Sequence, residues 1–448
     1  MKVNDVIKIH FVGIGGISMS ALAMFFIKKG CQISGSDLIE NGQIKLLKQK
    51  GAKIAIGHAK KNVPIDTDLC VYTGAVSFDN SEIAFCLSKG IKTINRADLL
   101  GEVFSAYKYN IAVSGSHGKT TTTALIYEIL HYSGLSPTLF LGGEYRNEGN
   151  LHIGDGDFCV AEACEYKKSF LSFYPYISLL LNAELDHTDC FNSREDIYKA
   201  FSLFAQNTQQ EGVCVINETL KNKMSFTAKN TVTFGFDTSN TYYAKNLLSK
   251  NGYYTFDVFS ANICLGTIQL NVAGKHNVNN ALAAYAVAKQ FDLPQATIAE
   301  GIKGFKGVFR RYQTFECSFT NVVADYAHHP TEIIAALNAA KEQGYQNIYV
   351  LFQPHTYSRT LSLMKDFACC FEGAKQVVVL PVYAAREKPI KSGNHKSLAK
   401  RIKENTPCIA LNSFSKASHY LKKHLHKNDL LLVLGAGDII NFCIPKYL

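Results

Sequence analysis

The sequence predicts an α/β fold in three domains, on three observations. Short apolar runs alternate with longer helical patterns from end to end, the mark of parallel sheets covered by helices. Two of these runs empty into glycine-rich loops, FVGIGGISMSALA at the start and IAVSGSHGKTTTT from residue 111. The chain is 448 residues long, more than one hydrophobic core holds, since about 150 residues per domain is common.

In chain order, the predicted strands are IKIHFVG (7–13), LCVYTG (69–74), IAVSG (111–115), FCVAE (158–162), ISLLLN (177–182), NVVADY (321–326), NIYVLF (347–352), QVVVLP (376–381) and DLLLVLG (429–435). Fresh strand–loop–helix units begin near residues 107 and 311, which divides the chain into 1–107, 108–311 and 312–448. Residues 219–272, rich in Asn, Thr and Tyr, read as a β-rich excursion before GKHNVNNALAAYAVA resumes a helix.

Hydrophobic residues make up 47% and charged residues 19%, which excludes a disordered chain. The opening MKVNDVIKIHFVGIGG reads as a first strand rather than a signal peptide, and no apolar run reaches the roughly 20 residues of a membrane span. A cytoplasmic protein with no membrane partner is expected. Thirteen cysteines without a CxxC pair, several inside apolar strands (Cys70, Cys159), read as thiols of a reducing compartment. The net charge of +10 is spread along the chain. Its densest run, KASHYLKKHLHK, reads as the solvated face of a helix. No reader motif or aromatic-interleaved basic stripe points to nucleic acid. A mild positive balance suits polyanionic small molecules.

The two loops carry the chemistry. Gly13 and Gly15 permit a tight turn that brings backbone N–H groups and a helix N-terminus to a phosphate. Ser18 stands where a strict G-x-G-x-x-G has glycine, and Asp37 lies where a ribose-binding acid is expected. GSHGKT is a shortened P-loop: Val113 occupies the usual first-glycine position and Gly115 and Gly118 remain. Backbone N–H groups cradle phosphate oxygens, Lys119 reaches the β- and γ-phosphates, and Thr120 offers a hydroxyl to Mg²⁺. Glu162 ends one strand. Asn182, Glu184, Asp186, His187 and Asp189 follow another, so both clusters can converge on the P-loop from the carboxyl ends of a parallel sheet. Glu162 suits an oxygen-loving Mg²⁺; His187 reads either as a ligand or as a histidine hydrogen-bonding behind one.

GSHGKTTTTA, the Glu162–His187 spacing, NAELDHTD and GKHNVNNALAA together resemble the Mur ligases, the ATP-dependent amide-forming enzymes of peptidoglycan precursor synthesis. FVGIGGISMSALA, VAEACEYKKSFL, KGVFRRYQ, DYAHHPTEI and FQPHTYSRT narrow the resemblance to the branch whose substrates are UDP-N-acetylmuramate and L-alanine. It covers essentially the whole chain. Ser116 stands where threonine is commoner. Lys199 does not fall where sister ligases carry a modified lysine; Ser202 is closer to that position.

The resemblance implies an N-terminal Rossmann-like domain for UDP, a central P-loop domain for Mg-ATP and a small C-terminal Rossmann-like domain that closes over both about a hinge near Arg311. It implies pyrophosphate at Gly13, Gly15 and Gly16, with Ser36, Asp37 and Ser77 nearby. ATP would lie on Gly115, Ser116, His117, Gly118, Lys119, Thr120 and Thr121, with His276, Asn277 and Asn280 at the adenine and Asp325 at the ribose. Thr120, Glu162 and His187 would hold Mg²⁺. Arg311, His328, His355 and Arg359 would hold substrate anions and the transferred phosphate, and Lys119, Glu162, His187, His328 and Arg359 would form the catalytic set. His329, followed by Pro330, reads equally as the start of a helix. A monomer or homodimer is expected. The alternatives are a ligase that recycles a whole peptide onto the same sugar nucleotide, a folylpolyglutamate-type ligase, and a non-catalytic ATP-binding regulator.

Overall fold

The computed structural model describes residues 6–145, 149–184, 190–191, 193–224, 228, 230–385, 387–443 and 447. Three sheets follow one another along the chain. The first contains β1 (Lys8–Val12), β2 (Gln32–Asp37), β3 (Lys53–Ile56), β4 (Leu69–Tyr72) and β5 (Lys92–Asn95), in the order β3-β2-β1-β4-β5 and all parallel. The order reverses between β1 and β4, the place where such sheets open a crevice for ligands. The glycine loop after β1 lies there. Gly13 has φ +83°, and a Cβ on it would lie 2.6 Å from Thr73 Cγ2, just past β4, so no other residue fits this turn.

The second sheet has ten strands: β6 (Tyr109–Ser114), β7 (Thr138–Phe140), β8 (Leu151–His152), β9 (Phe158–Glu162), β10 (Ile177–Leu180), β11 (Val213–Asn217), β12 (Thr231–Gly235), β13 (Tyr242–Lys250), β14 (Tyr253–Ser260) and β15 (Ile263–Ala273). Strands β12-β11-β10-β6-β9-β7 form its parallel body. The expected β-rich excursion supplies β12 and the antiparallel meander β13–β15. The helix Lys119–Tyr132 leaves β6 and packs on helices His276–Ala288 and Gln295–Gly304. It is buried almost throughout, from Thr122 to Leu130 without a break, so the loop in front of it rests on a fixed base.

The third sheet has the order β16-β17-β21-β18-β19-β20, from β16 (Gln313–Phe315), β17 (Asn321–Asp325), β18 (Ile348–Phe352), β19 (Gln376–Val379), β20 (Cys408–Ala410) and β21 (Leu430–Leu434). It is parallel except for β16. Its central strands β18 and β21 are buried along their whole length, as their unbroken apolar runs require. The basic run near the C-terminus lies on the helix Phe414–His424, which buries Ala417, Ser418 and Leu421 and turns its lysines outward. No described helix is long and apolar enough to cross a membrane.

Candidate active site

Strand β6 delivers Gly115-Ser-His-Gly118 to the N-terminus of the helix Lys119–Tyr132. Gly118 caps that helix in the left-handed region, at φ +82°. A Cβ there would lie 2.6 Å from Asn280 Oδ1, so Asn280 presses directly on the loop. Lys119 folds back over the loop. Its Nζ donates to the Gly115 carbonyl, to Ser116 O at 3.2 Å and to Glu165 Oε2 at 2.9 Å. Burial works against this ammonium, but the Glu165 carboxylate prevails and its pKa is raised.

Glu162 ends β9 beside β6, paired in register with Val113. Its Oε1 accepts the Gly142 N–H at 2.6 Å. The Thr120 hydroxyl, in the first turn of the helix, accepts from Arg311 Nη2 at 3.3 Å. A hydroxyl and a carboxylate at adjoining ends of a sheet are the donor set of a hard cation that keeps several waters, so both residues fit Mg²⁺. His187, with Asp186 and Asp189, lies outside the described residues.

The segment after β9 reaches both ligand loops. Glu165 holds Lys119, while Lys167 Nζ donates to Gly74 O at 2.7 Å, in the loop that follows β4. Lys167 and Lys168 adopt left-handed backbone, φ +51° and +56°, which turns the chain sharply at the second of those contacts.

On the other side of the P-loop, Asn182 exchanges hydrogen bonds with the His117 backbone, and Ser116 Oγ accepts from Glu184 N at 2.8 Å. His117 stands between two carboxylates: Nε2 lies 3.3 Å from Glu184 Oε2 and Nδ1 lies 3.2 Å from Glu332 Oε1. Burial opposes a charge on this imidazole, yet the two hydrogen bonds outweigh it and lift its pKa to about 9. His117 in turn pulls Glu184 down to about 2. Glu332 belongs to the third domain. It closes the capping box of the helix Pro330–Glu342, accepting from the His328 and His329 N–H groups, with His329 as N-cap. Thr331 Oγ1 adds a 2.8 Å bond to Glu184 Oε2. One helix N-terminus of the third domain is thus fastened to the P-loop.

Between these walls lies a cavity of about 780 Å³. His117, Gly118, Thr121, His276, Asn277 and Asn280 line it from the middle domain, and Arg311, Asp325 and Glu332 from the other side. Asn280 Nδ2 donates to Asn277 Oδ1, itself anchored to Ala273 O. The surrounding protein and the Arg311 charge pull His276 down to about 4. Asp325 accepts the Tyr312 and Ala327 N–H groups at 2.7 Å each, and burial pushes its carboxyl up. Arg310 and Tyr312, on either side of Arg311, both have positive φ, which sets Arg311 into the cavity at the junction of two domains. Arg311, expected at the substrate anions and the transferred phosphate, lies at the Thr120 side of the cavity.

Further along, His328 lies 3.3 Å from Glu332, and its ring centroid is 5.7 Å from that of His355. Arg359 Nη1 reaches His355 Nδ1 at 3.3 Å. Glu184, His117, Glu332 and His328 are linked by hydrogen bonds or ion pairs, as are His355 and Arg359, and the His328–His355 ring contact joins the two groups into one run of polar side chains from the P-loop into the third domain.

In the first domain, Asp37 Oδ2 accepts the Gly15 N–H at 2.8 Å, and Gly16 precedes the helix Ile17–Lys28. Ser77 is exposed in the loop beyond β4. Ser36 departs from its expected place at the substrate. It is fully buried, its hydroxyl bonded to Glu82 and, at 2.8 Å, to His58 Nδ1. The strand period of two explains this: Ser34 and Ser36 share the inward face with His10 and Glu82, whereas Asp37 turns toward the loop. Glu165 and Glu332 went unassigned in the sequence. His329-Pro-Thr-Glu332 carries the spacing of a capping box, which could have located Glu332.

A phosphate-binding loop on a parallel sheet, a cavity walled by a third domain and a separate glycine loop at a second switch point define a multidomain nucleotide-dependent ligase. Models of the Mur ligase family match along the chain: the family's catalytic domain at residues 8–108, its middle domain at 113–288 and its glutamate ligase domain at 310–437. The chain belongs to the Mur ligase family. It is 42% identical over 437 residues to the UDP-N-acetylmuramate–L-alanine ligase of Clostridium botulinum (strain Loch Maree / Type A3), covering 96% of this chain and 95% of the relative. It is 43% identical over 438 residues to the ligase of the same name from Clostridium novyi (strain NT), with 96% and 95% covered. The solved UDP-N-acetylmuramate-alanine ligase of Thermotoga maritima superposes with TM-score 0.82 at 31% identity, covering 97% of each chain. A murein peptide ligase from Psychrobacter arcticus 273-4 shares the fold, with TM-score 0.70 at 22% identity and 97% of each chain covered.

Proposed function

We propose that this protein joins L-alanine to the lactyl carboxylate of UDP-N-acetylmuramate, an early step of peptidoglycan precursor synthesis, with ATP converted to ADP and phosphate. The observation that carries the reading is the polar chain from the P-loop to His328, His355 and Arg359, in a chain similar over nearly its whole length to ligases of that name.

The carboxylate is a poor acyl donor. It attacks the γ-phosphorus of ATP, the bond to the ADP oxygen breaks, and an acyl phosphate forms. The alanine amine then adds to the acyl carbon, phosphate departs and a proton leaves the nitrogen. Such transfer needs charge neutralised around the phosphoryl group more than it needs a nucleophilic side chain. Lys119 exchanges Glu165 for the phosphates and supplies part of that charge. Thr120 and Glu162, with His187, would hold Mg²⁺, which when bound offsets the remaining negative charge; Glu162 acts as a ligand rather than a base. His276, Asn277 and Asn280 position the adenine and Asp325 the ribose. His328, His355 and Arg359 hold the substrate anions, Arg359 with the fork geometry suited to oxyanions. Gly13, Gly15 and Gly16 receive the UDP pyrophosphate, with Asp37 holding their loop in shape and Ser77 on its open side. Closure of the third domain keeps water from the acyl phosphate.

The test is ADP release with UDP-N-acetylmuramate and each amino acid in turn. Turnover that requires both the sugar nucleotide and L-alanine supports the reading. Turnover with an intact peptide in place of alanine transfers it to the recycling ligases, and turnover independent of both substrates rejects ligation.

A further inference from the structure

We propose that His117, Glu184 and His329 form a site for a transition-metal cation of borderline softness, zinc above all, lying between the P-loop and the third domain. One donor atom from each residue lies within 4.8 Å of the other two. The His117 Nε2 to Glu184 Oε2 distance is already 3.3 Å, and two ligands each about 2.0–2.1 Å from a tetrahedral zinc stand about 3.3 Å apart. A side-chain rotation that moves the His329 donor by roughly 1–2 Å completes the triangle. Two imidazoles and one carboxylate, with a fourth position open, is a recurring zinc donor set. Thr120 and Glu162 offer magnesium oxygen donors from a hydroxyl and a carboxylate, whereas the present set shares neither residue and is dominated by two imidazoles, so the two ions are distinct.

The surroundings are those of a built site. Glu332 Oε1, 3.2 Å from His117 Nδ1, fixes that ring with Nε2 toward Glu184. A carboxylate behind a ligating histidine orients the ring and raises its basicity. Thr331 Oγ1 holds the Glu184 carboxylate at 2.8 Å, and His329 is held as N-cap of a helix. Without metal, a proton bridges His117 and Glu184; the cation takes its place. Two ligands belong to the middle domain and one to the third, and His117 lies in the phosphate loop itself. A bound zinc therefore ties the third domain down over the loop and inhibits nucleotide exchange. The binding claim rests on this geometry alone; only the inhibition arm depends on the ligase reading.

Zinc chloride is titrated into the full-length protein in excess magnesium against a chromophoric chelator, and zinc-soaked crystals are measured at the zinc absorption edge. The expected result is an anomalous peak among the three residues, with His329→Asn and Glu184→Gln each weakening zinc binding about tenfold or more. Asn still serves as an N-cap and Gln still accepts from Thr331, so both variants preserve the fold; metal-free melting curves verify this, and the peak position decides if either fails. A peak elsewhere, for instance on exposed Cys264 or Cys369, overturns the proposal. Unchanged affinity in folded variants, or no zinc bound at micromolar concentration, does the same.

Discussion

Lys119 Nζ sits 2.9 Å from Glu165 Oε2, with only 15% of the lysine side chain and 4% of the glutamate side chain exposed. The lysine proposed to meet the nucleotide's phosphates is neutralised in advance by a carboxylate of the neighbouring strand's loop.

Lys119→Ala therefore has two separable effects. Ligation falls by at least about 10²–10³, the scale for losing one preorganised charge donor. Stability falls too, by up to about 3–5 kcal/mol, because buried Glu165 loses the Lys119 ammonium. In the double variant Lys119→Ala/Glu165→Gln, thermal melting recovers much of the loss while ADP release does not. A double variant no more stable than the single one would remove Glu165 as the partner that matters.

Gly118→Ala forces a Cβ into left-handed backbone, at about 1–2 kcal/mol, and against the Asn280 amide. Asn280 is tied to Asn277, so its yielding disturbs the cavity wall. Calorimetric titration with ADP should show affinity reduced about tenfold or more, equivalent to about 1.4 kcal/mol. Unaltered affinity would mean that the loop adjusts without involving Asn280.

Arg311→Lys keeps the charge but loses the planar fork that reaches Thr120. Steady-state kinetics should show KM for ATP raised several-fold, and Arg311→Ala should lower kcat/KM by about a hundredfold, on the scale of about 2.7 kcal/mol. If Arg311→Ala leaves KM for ATP unchanged and raises only that for the sugar nucleotide, Arg311 belongs with the substrate anions after all.

Glu82 gives the first domain an acid limit. It is fully buried; burial opposes its charge, but hydrogen bonds from His10, Ser36, Ala59 N–H and Asn62 prevail and hold its pKa near 2. The folded value is below the unfolded one, about 4.3, so this stabilisation is complete above that pH and drains away as pH falls toward 2. Its full size is on the order of 3 kcal/mol. Melting temperatures measured from pH 5 to pH 3 should fall in the wild type and fall less steeply in Glu82→Gln, which starts lower at neutral pH. Parallel curves would rule out Glu82 as the titrating group.

The three-sheet architecture was legible because its central strands are unbroken apolar runs; β6, β9, β18 and β21 need nothing else to be found. Short strands such as β2, with Ser34, Gly35, Ser36 and Asp37, escaped because the polar residues they bury are paired across the sheet, which no local pattern reveals. The P-loop and Glu162 were readable from strand–loop–helix order. Glu165 was not, and the capping-box spacing gives Glu332 only its place at a helix start; the contact of each belongs to a partner far away in the chain, Lys119 for one and His117 for the other. Ser36 shows the opposite error, a plausible residue type on the wrong face of its strand.

The short span from Glu165 to Lys167 has a mechanical consequence. Tyr166 alone separates Glu165, which restrains Lys119, from Lys167, which grips the Gly74 carbonyl beside the first glycine loop. A movement of that carbonyl pulls on a tether two residues long whose other end is the clasp on Lys119. The two glycine loops, though they belong to different domains, are thus mechanical neighbours, and a shift in one is felt in the other within the length of a dipeptide.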